Sequence, residues 1–497
     1  MALGHGSFSG RPPGRQLYTL CMSEIDLPTI SGNELASLRA RALPPQPARR
    51  DLGQIQSACA VALHMHQPLI PAGSGELAVA AMISNLDYMR SHPGEGDNHN
   101  AAVFHQCYKR MGEFVAALVD AGKQPRIMLE YSGTLLFGLE RMGLGDVFEQ
   151  LRRVTQEGPY QHAVEWLGAP WGHAVAPSTP VADYRRHVLA WQQHFAALFG
   201  DRALGRVRGF SPSEMALPNQ PDVAYEFVKT LRDAGYTWVL VQEHSVEQPG
   251  TGAPPEQKHL PHRLTCTSSS GESASIIAII KTQGSDTKLV GQMQPYYEAK
   301  TLRRIELAGK SVPLLVTQIA DGENGGVMMN EFPSKYFEVV GLASGSDTPL
   351  VNVGEYLEEL ESIGIGIDQL PPLQPVSQKR VWERLEPGAG PVRLAAVLTE
   401  LKAEDSRFHM EGGSWTNDIS WVRGYGALLN EMEQVSALFH EKIIEARVPP
   451  GEYRYRNALF HLLCSQTSCF RYWGQGKWTD YGREICRRTR AILTQDF

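Results

Sequence analysis

The sequence predicts an α/β fold, a parallel sheet covered by helices and followed by a small helical region. Three observations carry this. Seven short apolar runs recur along the body, at 61–66 (VALHMH), 126–132 (RIMLEYS), 163–169 (AVEWLGA), 206–210 (RVRGF), 238–244 (WVLVQEH), 275–280 (SIIAII) and 314–320 (LLVTQIA). Several are followed by segments with helical spacing. The runs are continuously apolar instead of alternating, as expected for strands buried on both faces. A closed barrel and a doubly wound open sheet both satisfy this pattern, and spacing alone does not choose between them.

Residues 1–55 carry PPG, PPQP and scattered arginines with no sustained period, which predicts a flexible N-terminal arm. The compact body is expected over 56–363. Within it, Ala101 to Ala121, Val181 to Phe199 and Asp222 to Ala234 are the clearest helices; in the last, Val223, Phe227 and Leu231 recur every fourth residue. Val246 to Ser273, rich in Pro, Gly, Ser and Thr, reads as a loop, and 364–391, with PPLQP and EPGAGP, as a linker. Beyond it, 392–497 is expected to form a C-terminal helical domain from Val392 to Leu401, Gly424 to Ala446 and Tyr453 to Leu463.

Length and composition narrow the function. At roughly 150 residues per domain, 497 residues make two or three folding units. A formal charge of -7 gives no general basic field for phosphate backbones or anionic lipid, so neither nucleic acid nor a membrane is expected as partner. Cysteine is odd in number (7) and has no C-x-x-C pair, which fits reduced thiols and a cytoplasmic location. The first 22 residues show neither a signal-type apolar core nor a span. No GxxxxGK[ST] loop occurs, and no GxGxxG follows a strand, so nucleotide chemistry is not expected.

In parallel α/β folds the ligand site lies at the carboxyl ends of the strands, so polar residues ending apolar runs matter most. The first run ends His64-Met65-His66-Gln67-Pro68. Two imidazoles at i and i+2 on a strand share a face, where they suit sugar hydroxyls or a divalent metal; capped core histidines are the plainer alternative. The fourth run passes into Gly209-Phe210-Ser211-Pro212-Ser213-Glu214, and the seventh into Asp321-Gly322-Glu323-Asn324-Gly325-Gly326. Two carboxylates from distant strands suit the acid and nucleophile roles of glycosidic chemistry, although the second segment also reads as a solvated acidic turn or a calcium-like loop. Trp171, Trp415 and Trp473, each flanking glycine or a polar turn, are candidates for stacking on sugars, while most tryptophans are expected in the core. Arg483, Arg487, Arg488 and Arg490, at helical spacing, read as a solvated or charge-paired helix face.

At these residues the chain resembles glycoside hydrolase family 57, the α-amylase, 4-α-glucanotransferase and branching-enzyme group. His64-Met65-His66-Gln67-Pro68 is similar to its H-x-H-Q-P signature, and Trp171-Gly172-His173 loosely to its second motif. Arg208 to Glu214 resembles the nucleophile motif, and Asp321-Gly322-Glu323-Asn324 the acid/base motif. Gly413-Ser414-Trp415 and Arg471-Tyr472-Trp473-Gly474 resemble C-terminal sugar-binding elements, but Thr467-Ser468-Cys469 stands where many members have S-D-W. The resemblance implies a distorted (β/α)7 barrel, catalysis by Glu214 and Asp321, and α-glucan contacts from His64, His66, Gln67, Trp171, His173, Glu323, Trp415 and Trp473. It implies no metal and no cofactor. A metal-dependent carbohydrate deacetylase using His64 and His66, and a silent glucan-binding protein, are the competing classes.

Overall fold

The computed structural model describes residues 27–33, 52–73, 76–282, 287–323, 325–414 and 423–497. Each of the seven apolar runs forms a strand: β1 Ser57–Met65, β2 Ile127–Tyr131, β3 Val164–Gly168, β4 Gly209–Phe210, β5 Trp238–Gln242, β6 Ser273–Lys281 and β7 Leu314–Asp321. They pair in parallel in the order β7-β1-β2-β3-β4-β5-β6, and β6 returns to β7 to close the barrel. Closure is lopsided. β1 and β7 share eight register pairs from Ser57↔Leu314 to His64↔Asp321, whereas β6 and β7 meet at Lys281↔Thr317 alone.

The alternation of strand side chains explains both sides of the wall. Ala58, Ala60 and Ala62 belong to an apolar cluster with Met128, Leu167, Leu240, Ile279 and Ile319, which fills the barrel. Cys59, Val61 and Leu63 point the other way, into a cluster with helical residues such as Met111, Val188 and Trp191. Small alanines on the inward register of β1 suit the narrow bore of seven strands. Carried upward, that register brings His64 to the mouth after Ala62, Glu130 after Met128, Gln242 after Leu240, Lys281 after Ile279 and Asp321 after Ile319.

The expected helices form as α1 Ala101–Asp120, α2 Val181–Phe199 and α3 Pro221–Asp233. In the C-terminal part, α4 Gly426–Phe439 continues into a π-helical turn His440–Glu445 and is followed by α5 Tyr453–Ser465 and α6 Lys477–Gln495. Leu428, Phe460, Leu463 and Ile485 share one apolar cluster with the barrel helices, so α4, α5 and α6 pack on the barrel, while Leu394, Val397, Leu401 and Phe408 form a separate cluster with Val381 and Leu385.

Three expectations are corrected. Of the stretch expected as a flexible arm, residues 27–33 are described and packed: Leu27 and Ile30 are buried, and Gln193 on α2 hydrogen-bonds both Ser31 and the Asn33 carbonyl. Residues 1–26 and 34–51 lie outside the described residues. The loop expected over Val246 to Ser273 contains a strand, His262–Thr267, antiparallel to β6. Its Thr and Arg residues occupy the half-exposed face of a period-two strand, a pattern hidden by counting polar residues. The linker at 364–391 contributes Pro372–Pro375 beside that strand, and a short helix Gln378–Trp382. Arg488, expected on a solvated or charge-paired face, is buried and charge-paired with Glu484, and it bonds the carbonyls of Leu77 and Ala80.

Candidate active site

The mouth of the barrel opens into a cleft of about 1040 Å3. Register builds its floor. Glu130, His64 and Asp321 sit level with one another on the adjacent strands β2, β1 and β7, since His64 faces Glu130 on one side and Asp321 on the other. His64 Nδ1 and Glu130 Oε2 form a close ion pair. Burial favours neutral His64, but the Glu130 charge and hydrogen bond, reinforced by Asp321 and Glu323, outweigh it and push the imidazole up to about 10.

Beyond the strand, His66 is buried and fully engaged: Nδ1 lies 2.7 Å from Ser132 Oγ and Nε2 3.2 Å from Cys469 Sγ. His173 stacks on His66 with ring centroids 4.0 Å apart and lies 4.8 Å from His64. Burial, and then the neighbouring imidazoles, hold His66 and His173 well below the ordinary histidine range. One charged and two neutral rings therefore share the stack. The His66 backbone N–H donates to both oxygens of Glu323, at 3.0 and 3.2 Å. Burial nevertheless pushes the Glu323 carboxyl up to about 8, with the Asp321 charge acting in the same direction.

Glu214 reaches the cleft from the loop after β4. Ser211-Pro212 leads into a single turn, Ser213–Met215, in which Glu214 (φ 57°) and Met215 (φ 50°) are both left-handed. His173 (φ 55°) shares that conformation, and its Nδ1 lies 2.8 Å from Ser468 Oγ and 3.8 Å from Glu214 Oε1. Non-glycine residues adopt this region at a cost and persist there where their surroundings hold them, as at functional sites.

Of the residues expected at the site, His64, His66, Gln67, His173, Glu214, Asp321, Glu323 and Trp473 all line the cleft. Trp171 does not. Its ring is fully buried, donates to His194 Nδ1 at 3.2 Å and packs against Phe460 and the bare Gly133, where a Cβ would come within 2.0 Å of it. The glycine next to Trp171 marks close packing against the Leu463 carbonyl, not a sugar platform. Trp415 lies outside the described residues. Sequence reasoning missed Glu130, Gln242 and Lys281 in the floor and Tyr88, Lys477 and Trp478 in the rim. The floor residues were findable, because each ends an apolar run on the inward register. The rim residues come from segments without such a marker. Among the described residues, no three His, Cys, Asp or Glu side chains are grouped so as to hold a metal ion.

Residues 60–308, half of the chain, match the model of glycosyl hydrolase family 57. The chain belongs to that family, and with it to the carbohydrate-active enzymes. The match contains His64, His66, His173 and Glu214 and ends before β7, the strand that carries Asp321. Solved structures agree in fold. A GH57 branching enzyme from Thermococcus kodakaraensis is 11% identical, with a TM-score of 0.54 over 88% of this chain and 89% of that one. A GH57-type branching enzyme from Pyrococcus horikoshii is 11% identical, with a TM-score of 0.51 and 88% of each chain covered. A 4-alpha-glucanotransferase from Thermococcus litoralis is 17% identical, with a TM-score of 0.50 over 83% of this chain; the match spans 55% of its length. No curated protein matches in sequence. Among the described residues, no helix is long and apolar enough to cross a membrane.

Proposed function

We propose that this family 57 enzyme cleaves or transfers α-glucans by a retaining mechanism, with Glu214 as nucleophile and Asp321 as acid/base. The observation that carries the reading is that both carboxylates line one cleft around the histidine stack, although they come from β4 and β7 and lie far apart in sequence. Glu214 attacks the anomeric carbon as the glycosidic C–O bond breaks, and Asp321 gives its proton to the departing oxygen. Asp321 then takes a proton from water or a glucan hydroxyl, whose oxygen displaces Glu214 from the anomeric carbon. His64, charged, and His173, whose Nε2 has no hydrogen-bond partner among the described residues, offer groups to the hydroxyls of the bound sugar.

The branching enzymes and the glucanotransferase similar in fold support α-glucans as the substrate class. The volume of the cleft, about 1040 Å3, suits an oligomer. A metal-dependent deacetylase is disfavoured by the histidines themselves: both nitrogens of His66 are engaged by Ser132 and Cys469, and His64 is held protonated by Glu130. Cys59, Cys107, Cys266, Cys464, Cys469 and Cys486 are free and buried, which supports a reducing, cytoplasmic compartment.

Azide rescue tests the two roles. In Glu214→Ala, azide should enter beneath the anomeric carbon of an activated α-glucosyl substrate and give a product of inverted configuration. In Asp321→Ala, natural glucans should suffer more than activated substrates, and azide should give a retained product. The opposite stereochemistry would exchange the roles, and full activity in both variants would sink the mechanism.

A further inference from the structure

Beneath the histidine stack runs a buried polar chain that does not reach the cleft. It begins at Gly172, whose N–H donates to His187 Nδ1 at 3.0 Å. Because that nitrogen accepts, the ring proton sits on Nε2, which donates to Gln466 Oε1 at 3.0 Å. The amide orientation of Gln466 is thereby set, and its Nε2 donates to Asp183 Oδ2 at 2.7 Å. Asp183 Oδ1 also accepts from His440 Nε2 at 2.8 Å. Every proton in the chain has one consistent position. Asp183, His187 and Gln466 are fully buried, and Asp183 and His187 lie four residues apart on one face of α2.

The two segments gripped by this chain form the back of the site. Gly172 precedes His173, and Gln466 precedes Thr467 and Ser468. The segments are stitched by an antiparallel bridge, Ala174↔Thr467, by the Ser468 N–H on the His173 carbonyl at 3.2 Å, and by His173 Nδ1 near Ser468 Oγ at 2.8 Å. Gly172 has no room for a side chain: a Cβ would lie 2.5 Å from the Leu463 carbonyl oxygen and 2.8 Å from the His187 ring. His173, left-handed and 3.8 Å from Glu214, needs such a brace to stay in place.

We propose that Asp183, His187 and Gln466 are positioning residues, a relay from α2 that registers the C-terminal turn 466–468 against the barrel loop 171–174 and so holds His173 beside Glu214. The proposal rests on the reading of Glu214 as nucleophile. It makes the C-terminal region part of the machinery through a residue that touches no substrate.

Two substitutions at Gln466 test it, because they separate hydrogen bonding from packing. Gln466→Met keeps the volume and breaks both bonds, so kcat should fall about tenfold to a hundredfold at every pH with KM within about twofold. Gln466→Glu restores the chain while the introduced carboxyl is protonated, its O–H donating to Asp183 and its carbonyl accepting from His187. The groups facing it are Asp183 and His187, with His440 and the Ser436 hydroxyl on the far side of Asp183. Burial beside the Asp183 carboxylate raises the introduced acid's pKa. In the native protein His187 stays neutral down to about 4, held there by burial. The Gln466→Glu variant should therefore match the native kcat near pH 5 and lose it on a new limb as pH rises, a limb absent from the native enzyme. Amide exchange at Gly172, which needs no substrate, should quicken in Gln466→Met at all pH values and in Gln466→Glu on the same limb. A native pH profile for Gln466→Glu, or a Gln466→Met variant that melts lower with kcat intact, would overturn the proposal. If the native enzyme leaves α-glucans untouched, the proposed function fails while the exchange measurements still decide the relay.

Discussion

The two walls of the cleft are built on different principles. The floor comes from the inward register of the barrel strands, where Glu130, His64 and Asp321 lie level across three neighbouring strands. Their positions are fixed by backbone ladders, and the neighbouring carboxylates hold His64 protonated. The rim comes from segments far apart in sequence, Tyr88 and Glu95 on one side and Trp473, Lys477 and Trp478 on the other. It is held by aromatic contacts: Trp473 meets Trp478 edge to face with ring centroids 4.6 Å apart, and Lys477 Nζ lies 4.2 Å over the Tyr88 ring and 2.7 Å from its hydroxyl. Trp473 remains 43% exposed. A floor fixed on the strand ladders supplies interactions that can be aimed at a transition state, whereas a half-exposed aromatic rim binds ground and transition states alike.

That contrast breaks if the wrong kinetic constant moves. The larger effect belongs to the floor. Glu130→Gln keeps the shape and removes the charge that holds His64 protonated, so kcat/KM at neutral pH should fall about a hundredfold. Activity should partly return toward acid pH as His64 regains its proton, and an unchanged pH profile would show that its charge is irrelevant. At the rim, Trp473→Ala should raise KM for long glucans about tenfold and leave kcat within about twofold. A fall in kcat at constant KM would move Trp473 to the reacting centre.

The same division governs how much was legible in the sequence. Barrel strands announce themselves because burial on both faces leaves continuous apolar runs, and a polar residue ending such a run must stand at a mouth. His64, His66 and Asp321 were readable on that ground, and Glu214 through its Pro-containing turn. Glu130 ends the run RIMLEYS in the same way and went unread because a single acid in an apolar run resembles a strand edge. Trp171 misled because a glycine neighbour signals close packing as readily as a turn. The pairing of Lys477 with Tyr88 and Glu95, like that of Gln466 with Asp183, joins residues hundreds of positions apart. No local pattern encodes such contacts; they arise when the C-terminal helices dock on the barrel.

The smallest expected effect concerns Glu323, which belongs to the floor but is only partly buried. Its carboxyl is pushed up to about 8 in the folded protein, chiefly by burial, from an ordinary value near 4.5. Between those values the native state keeps a proton that the unfolded chain has released. Stability therefore falls as pH rises through that window and stops falling on this account above about 8. Glu323→Gln has no proton to lose and keeps an oxygen for the His66 N–H. Its melting temperature should match the native one near pH 4.5 and exceed it by about 2–5 °C at pH 8. His64 does not confuse the comparison below pH 8, because the Glu323 carboxyl is uncharged there in the native protein and the imidazole sees the same field in both. Thermal melts of the two proteins across pH 4.5 to 8 decide the matter. A difference that stays flat would mean that Glu323 is ionised in the folded state and that the floor carries one more negative charge beside the histidine stack.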